Sequence, residues 1–172
     1  MNYVVYFDHV ASPLGRLLLA TGGEALTGVW FDGQKHQPPM GEDWQRRSDL
    51  PILQRAAREL AEYFAGERSE FAVPLAPSGT PFQRAVWNAI ASVPYGGTIV
   101  YRELAARAGQ PRAIRAAGAA TGRNPWSIII PCHRIVGADG ALTGYAGGLE
   151  RKRALLALEC ADLAAAPVRR AA

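Results

Sequence analysis

Cysteine is scarce in this chain, with two residues in 172, Cys132 and Cys160. Two thiols cannot build the disulfide framework of a small secreted scaffold. Cys132 is therefore expected as a free thiol whose chemistry remains open. Also missing is any apolar run near the roughly 18–20 residues of a membrane span. The opening stretch, MNYVVYFDHV, has no basic segment leading into an apolar one. The expectation is a cytoplasmic protein with no signal peptide and no membrane partner. No internal repeat is present. What remains, 49% hydrophobic and 20% charged residues, is the composition of an ordinary globular chain. Its length gives room for one domain or two small ones, with a core that needs no staples.

Charge is unevenly spread. Up to Ser78 there are 7 Lys/Arg against 10 Asp/Glu, a net of −3; beyond it there are 12 against 5, a net of +7. A basic second half suits a polyanionic partner, DNA or RNA, although an arginine-rich surface alone produces the same balance.

Residues 3–8, 15–21 and 25–31 are β-branched, aromatic and Leu-rich, separated by Ser12-Pro13 and Gly22-Gly23, and read as an antiparallel meander. Residues 33–49 read as loop. Residues 51–65 read as a helix with Leu53, Ala57, Leu60 and Phe64 on one face, ended by Gly66. Phe71, Val73 and Leu75 alternate as a short strand. PLAPSGTP, residues 74–81, reads as a linker, dividing the chain into domains 1–78 and 79–172. Beyond it the pattern is mainly helical. Thr80 or Ser78 caps a helix carrying Phe82, Val86, Trp87 and Ile90; further helices follow at 101–108, 112–121 and 149–158. Ile128, Ile129 and Ile130 form a buried run, residues 137–148 a Gly-rich loop, and residues 164–172 a frayed tail. The fold class is α+β.

Helices at 101–108 and 112–121 joined by a Gly-containing turn have the plan of a helix-turn-helix. The second carries Arg112, Arg115 and Arg123 among small residues, including Ala116 and Gly118. Small residues let a backbone approach DNA, and arginines engage phosphate or base. Two helices packing tightly within a domain leave the same pattern.

In IIIPCHR, residues 128–134, a cysteine ends an apolar run beside a histidine and an arginine. A thiol acts as nucleophile once deprotonated, and a nearby His or Arg favours that. Neighbouring side chains of an extended segment point to opposite faces, so contact between Cys132 and His133 requires a bend or a bridging water. A carboxylate suits the orientation of the imidazole; Glu103, Asp139, Glu150, Glu159 and Asp162 are all candidates. The other reading is an inert buried cysteine beside a surface histidine.

PCHR at 131–134 resembles the active-site signature of the O6-alkylguanine-DNA alkyltransferases. PFQRAVWNAI (81–90), VPYGGTIVYRELA (93–105), RAIRAAGAATGRNP (112–125) and LTGYAGGLERKRALLALE (142–159) resemble further stretches of that family. The likeness spans residues 80–159. The N-terminal half resembles it only in strand content and length.

The resemblance implies a ribonuclease H-like N-terminal support domain and a C-terminal domain with a winged-helix-like helix-turn-helix. It implies direct-reversal repair. The alkyl group of an O6-alkylguanine, or O4-alkylthymine, would pass from a flipped nucleotide to Cys132 in one irreversible turnover. No cofactor is implied, and the partner is double-stranded DNA bound by a monomer. His133 is then the base acting through a water, and Glu159 orients it. Asn124 is a hinge tying the helix pair to the active-site segment. Tyr101 helps rotate the nucleotide and is a candidate proton donor. Arg115 fills the vacated stack, and Arg112, Ala116 and Gly118 share its DNA-facing helix. The Ile135 carbonyl contacts guanine, while Tyr145 and Ala146 line the base pocket. Some relatives hold a structural zinc through N-terminal Cys and His. Residues 1–78 here have no Cys and only His9 and His36, so no metal is expected. Ala146 stands where some relatives carry a serine, so a backbone N–H would replace that side chain's hydrogen bond to the base.

Three rivals have discriminators. A non-catalytic binder of alkylated DNA lacks the cysteine. A transcriptional regulator needs a sensor or dimer arm. A cysteine hydrolase built on Cys132 and His133 turns over repeatedly. Among secondary residues, Arg134 is expected to hold carbonyls or an acid, Trp87 to pack in the core and Cys160 to be a bystander. Arg151, Lys152 and Arg153 are expected on a solvated face with some phosphate contact.

Overall fold

The computed structural model describes residues 4–159. The frayed tail expected at 164–172 and Cys160 lie outside the described residues. By their contacts the described residues form two compact units, one of residues 4–78 with Pro125–Ile129, the other of Gly79–Asn124 with residues 130–159.

In the first unit, β1 (Val5–Val10), β2 (Leu17–Thr21), β3 (Leu26–Phe31) and β4 (Trp44–Arg46) form a sheet in the order β3-β2-β1-β4. β1, β2 and β3 pair as the expected antiparallel meander. β4 lies in the stretch read as loop and pairs parallel to β1. Three residues are too few for a two-residue period to show in sequence. The strand is held by Val5 N donating to Asp43 O, by Arg47 N donating to Phe7 O, and by Trp44 packing on Phe7.

Every residue of β2 is buried, so both faces of the central sheet are covered. Leu18 and Ala20 cluster with Trp30. By the alternation of a strand, Leu17 and Leu19 face the other way. Helix α1 (Pro51–Phe64) packs against β1 and β2. Its buried face is Ile52, Leu53, Ala56, Glu59, Leu60 and Tyr63, with Ala57 and Phe64 only half-buried. The stripe is rotated from the expected one because the face includes a carboxylate. Glu59 accepts from Ala72 N, Val73 N and Arg55 Nε. Those backbone groups thus bond to Glu59 rather than to a ladder. The strand expected at 71–75 is accordingly reduced to a single bridge between Leu75 and Leu26.

The second unit is built on α2 (Pro81–Ala91), β5 (Ile99–Val100), α3 (Tyr101–Arg107), α4 (Ile114–Gly122), β6 (Ile135–Val136) and α5 (Leu149–Glu159). Thr80 caps α2 in a reciprocal box, Gln83 N donating to Thr80 Oγ1 and Thr80 N to Gln83 Oε1, with Pro81 at the first turn. Trp87 is buried as expected and donates Nε1 to Ala120 O at 2.9 Å, fixing α2 to α4. α3 and α4 pack on each other and on α2. β5 and β6 pair in parallel. Val136, Leu142 and Leu156 are buried with Val100 and Leu149 against them. No helix among the described residues is long and apolar enough to cross a membrane.

Candidate functional site

Pro131 precedes a single 3-10 turn, Cys132–Arg134, closed by Cys132 N donating to Ile130 O and Arg134 N to Pro131 O. A bend is therefore present, one of the two conditions named for a Cys132–His133 contact, and the extended geometry that would set the two side chains on opposite faces is not adopted. Cys132 is 5% exposed. Burial pushes its thiol up from the ordinary value; a hydrogen bond from Asn124 and the charge of Lys152 pull the other way.

Asn124 is the hub of this segment. Its Nδ2 donates to Ile130 O at 2.8 Å and reaches Cys132 Sγ at 3.3 Å. Between Asn124 and Ile130 the chain runs through Pro125–Ile129, which belongs to the first unit. There Val29 N donates to Pro125 O, Ser127 N to Val29 O, Trp126 Nε1 to Leu26 O and Ser127 Oγ to Gln34 Oε1. Trp126 is thereby a buried core residue. Ile128 sits at φ 72°. That left-handed conformation costs a β-branched residue about 1–2 kcal/mol, and the bonded residues on either side hold it.

His133 is fully buried, and its Nε2 lies 2.8 Å from Glu159 Oε1. Of the five candidate carboxylates the geometry selects Glu159, on the last residue of α5. A carboxylate only accepts, so Nε2 carries the proton and Nδ1 keeps its lone pair. Nδ1 is buried with no hydrogen-bond partner among the described residues. Burial lowers the imidazole from its ordinary value, partly opposed by Glu159. Glu159 also receives Arg134 Nε and Nη2 at 2.8 and 2.9 Å, while Arg134 Nη1 donates to Val93 O. Arg134 thus holds an acid and a carbonyl, as its type suggested.

Tyr101 opens α3; burial raises its phenol pKa, with the neighbouring Thr143 side chain pulling the other way. Gly118, on α4, faces its ring: a Cβ there would meet Tyr101 at 3.8 Å, ordinary contact. Tyr145 keeps part of its surface accessible, but its hydroxyl is buried with no partner among the described residues, and burial raises its pKa well above the ordinary value. Ala146 lies beside it, half-buried, and Ile135 is buried in β6.

The helix 112–121 of the sequence reading begins at Ile114, with Arg112 in the turn before it. Arg112, Arg115 and Arg123 are exposed and carry no ion pair or side-chain hydrogen bond among the described residues. Ala116 is exposed beside them. Arg102 on α3 is likewise exposed and unpaired among the described residues. It lines a cavity of about 400 Å³ with Val100, Tyr101, Ile114 and Ala138. Arg102 was not singled out in the sequence, where its place next to Tyr101 in a basic half was the available signal. Lys152 was misread. It is fully buried, so its aliphatic neighbours Leu155 and Leu156 on α5 mark its surroundings better than Arg151 and Arg153 do. No group of three His, Cys, Asp or Glu able to hold a metal occurs among the described residues.

Comparison with known proteins covers nearly the whole chain. A family model described as the ribonuclease-like domain of 6-O-methylguanine DNA methyltransferase matches residues 3–77, and one described as its DNA binding domain matches residues 81–161. A methylated-DNA–protein-cysteine methyltransferase of Haemophilus influenzae is 46% identical over 156 residues, 90% of this chain and 86% of that protein. The protein of the same description from Methanosarcina barkeri is 46% identical over 90% of this chain and 97% of its own length. Among solved structures, the Mycobacterium tuberculosis O6-methylguanine methyltransferase superposes with a TM-score of 0.83 at 45% identity, covering 91% of this chain and 93% of that one. The M. tuberculosis protein in complex with DNA gives a TM-score of 0.84 at 44% identity, covering 94% and 95%.

Proposed function

The chain belongs to the 6-O-methylguanine DNA methyltransferase family, and from that premise we propose that it repairs DNA by moving an alkyl group from O6 of guanine onto Cys132, once per molecule. O4-alkylthymine is a second substrate of the same chemistry. The observation that carries the reading is the Nδ1 of His133, without a hydrogen-bond partner among the described residues, in the turn that holds a buried thiol, with Glu159 on the opposite ring nitrogen.

A lesion inside a duplex is out of reach, so the nucleotide is everted at a cost of a few kcal/mol, less for a poorly paired base. Arg115, exposed and without an ion pair among the described residues, fills the vacated stack. Arg112, Ala116 and Gly118 lie along the DNA, and Tyr101 guides the rotating nucleotide. Ile135 O and the Tyr145–Ala146 backbone bind the base. His133 Nδ1 takes the Cys132 proton through one water, and Glu159 stabilises the imidazolium that forms. Asn124 orients the sulfur. The thiolate attacks the alkyl carbon, the carbon–O6 bond breaks, and its electron pair leaves with guanine, which takes a proton from Tyr101. Burial keeps that phenol protonated and able to donate. A thioether remains, and no group in the site is chemically suited to cleaving it. The lesion itself donates the alkyl group, so no cofactor is required. We place the protein in the cytoplasm as a monomer, with residues 1–78 as support and residues 79–172 as the DNA-binding and transfer domain.

Incubation with O6-benzylguanine and weighing of the intact protein tests this. The expected result is one benzyl group on Cys132, then no further reaction, and none on Cys132→Ala. Repeated turnover, or dealkylation of DNA by Cys132→Ala, would overturn it.

A further inference from the structure

The turn at 93–97, between α2 and β5, has no part in the mechanism above. It closes by Gly97 N donating to Pro94 O, with Gly96 at φ 76°. Its residues nevertheless meet the groups that serve His133. Arg134 Nη1 donates to Val93 O at 2.6 Å, and the guanidinium carbon of Arg134 lies 5.8 Å from the centre of the Tyr95 ring. The same guanidinium takes both oxygens of Glu159, Nε on Oε2 at 2.8 Å and Nη2 on Oε1 at 2.9 Å. Oε1 is also the oxygen 2.8 Å from His133 Nε2. A fork on both oxygens fixes the plane of a carboxylate, so the seat of Arg134 decides where Oε1 lies. Two further contacts reach the end of α5 itself. The Tyr95 hydroxyl lies 3.4 Å from Leu158 O, long for an O–H donor, and a Cβ on Gly96 would meet Glu159 O at 3.4 Å. Tyr95 is half-buried while Arg134 is only 6% exposed.

We propose that Tyr95 is a positioning residue for the transfer: its ring, with the Val93 carbonyl of the same turn, seats Arg134 so that Glu159 meets His133 at hydrogen-bond distance. The inference rests on His133 as the base of the repair reading. An aromatic face attracts a cation, more strongly where water is kept away. The Val93 carbonyl fixes one guanidinium nitrogen, and the ring restrains the remainder of the group. Neither carries a full charge, so neither competes with Glu159 for the charge of Arg134. Without the ring, the guanidinium is free to turn about its bond to Val93, and water screens its attraction to the carboxylate. Oε1 then drifts from Nε2, and the imidazole loses the orientation that keeps the proton on Nε2 and leaves Nδ1 to accept. Binding of the duplex, which uses α3 and α4, is untouched.

Single-turnover transfer from a duplex containing O6-benzylguanine separates the two steps: the maximal rate reports the chemistry, and the half-saturating concentration reports binding. Tyr95→Phe keeps the ring and loses only the long hydroxyl contact, and should transfer at the wild-type rate. Tyr95→Leu should lower the maximal rate roughly tenfold, a fraction of the 10²–10⁴ that loss of the base itself costs, with the half-saturating concentration unchanged. Pentafluorophenylalanine at position 95 reverses the charge distribution of the ring at nearly the size of phenylalanine. It should transfer about threefold or more slowly than Tyr95→Phe, and that comparison stands even where Tyr95→Leu fails to fold. A Tyr95→Leu protein that melts at a lower temperature, yet transfers at the wild-type rate while folded, would overturn the proposal. Equal rates for the phenylalanine and pentafluorophenylalanine proteins would do the same, as would a change confined to the half-saturating concentration. A wild-type chain that takes up no benzyl group would instead refute the repair reading.

Discussion

The Cys132 thiol and the His133 imidazole are both buried, and burial moves them in opposite directions: the thiol upward and the imidazole downward. At neutral pH the resting pair is therefore thiol and neutral imidazole, the forms from which a base-assisted transfer starts. The rate of transfer from O6-benzylguanine should hold through neutrality and fall only as pH drops through the folded value of the imidazole, which burial sets below its ordinary one, when Nδ1 takes a proton from solvent. A rate that stays flat down to the pH at which the protein unfolds in acid would remove His133 as the base. Stability should move in the same direction. The imidazole is held below its unfolded value, so the unfolded chain binds the proton first as pH falls; stability is present above 6.5 and declines as pH passes down through the folded value. His133→Gln, which keeps a polar side chain without a base, should slow transfer by about 10²–10⁴-fold while duplex binding persists. Glu159→Gln removes the anion shared by His133 and Arg134, leaving a buried guanidinium without its counter-charge. It should cost about 3–5 kcal/mol in a urea titration; a loss under 1 kcal/mol would mean the three-residue cluster is not coupled.

At the level of elements, the pair α3–α4 presents Tyr101 and Arg115, flanked by the exposed Arg112 and Arg123, while α5 brings Glu159 and Lys152 to the reactive turn and the strand that follows it. Arg115→Ala should slow repair of duplex DNA much more than reaction with free O6-benzylguanine, because only the duplex leaves a gap in its stack. Equal losses on both substrates would contradict the stack-filling role. Helix capping is separable from chemistry. Thr80→Ala breaks the box at the start of α2 and should cost about 1 kcal/mol in thermal or urea unfolding, without changing the transfer rate of the folded protein. Helix positions and caps were legible because they depend on local spacing, Thr80–Pro81–Gln83 being the clearest case. The tilt of the α1 face toward Glu59, and the bridge that replaces the strand at 71–75, were not. Both follow from a carboxylate meeting backbone N–H groups thirteen and fourteen residues away.

Across the whole molecule the net of +7 beyond Ser78 should appear as salt-dependent DNA affinity. Replacing Arg112 or Arg123 by Gln should weaken binding to all sequences alike and reduce the slope of log K against log salt by about one for each phosphate left without its cation. An unchanged slope would take these residues off the phosphate backbone. The sequence by itself determined the α+β class, the basic second half, the helix pair and the Cys132–His133 neighbourhood, because composition, periodicity and adjacency are local properties of a chain. Which carboxylate serves His133 was implied by the family resemblance and not by composition or spacing; only the tertiary structure decided that Lys152 is buried rather than solvated, and that Pro125–Ile129 bonds to β3 while Asn124 and Ile130, on either side, belong to the other unit. Glu159 lies 26 residues from His133, and Trp126 bonds to a carbonyl 100 residues away. Such pairings are chosen when buried polar groups must find partners in the packed chain, and no spacing rule along the sequence encodes them.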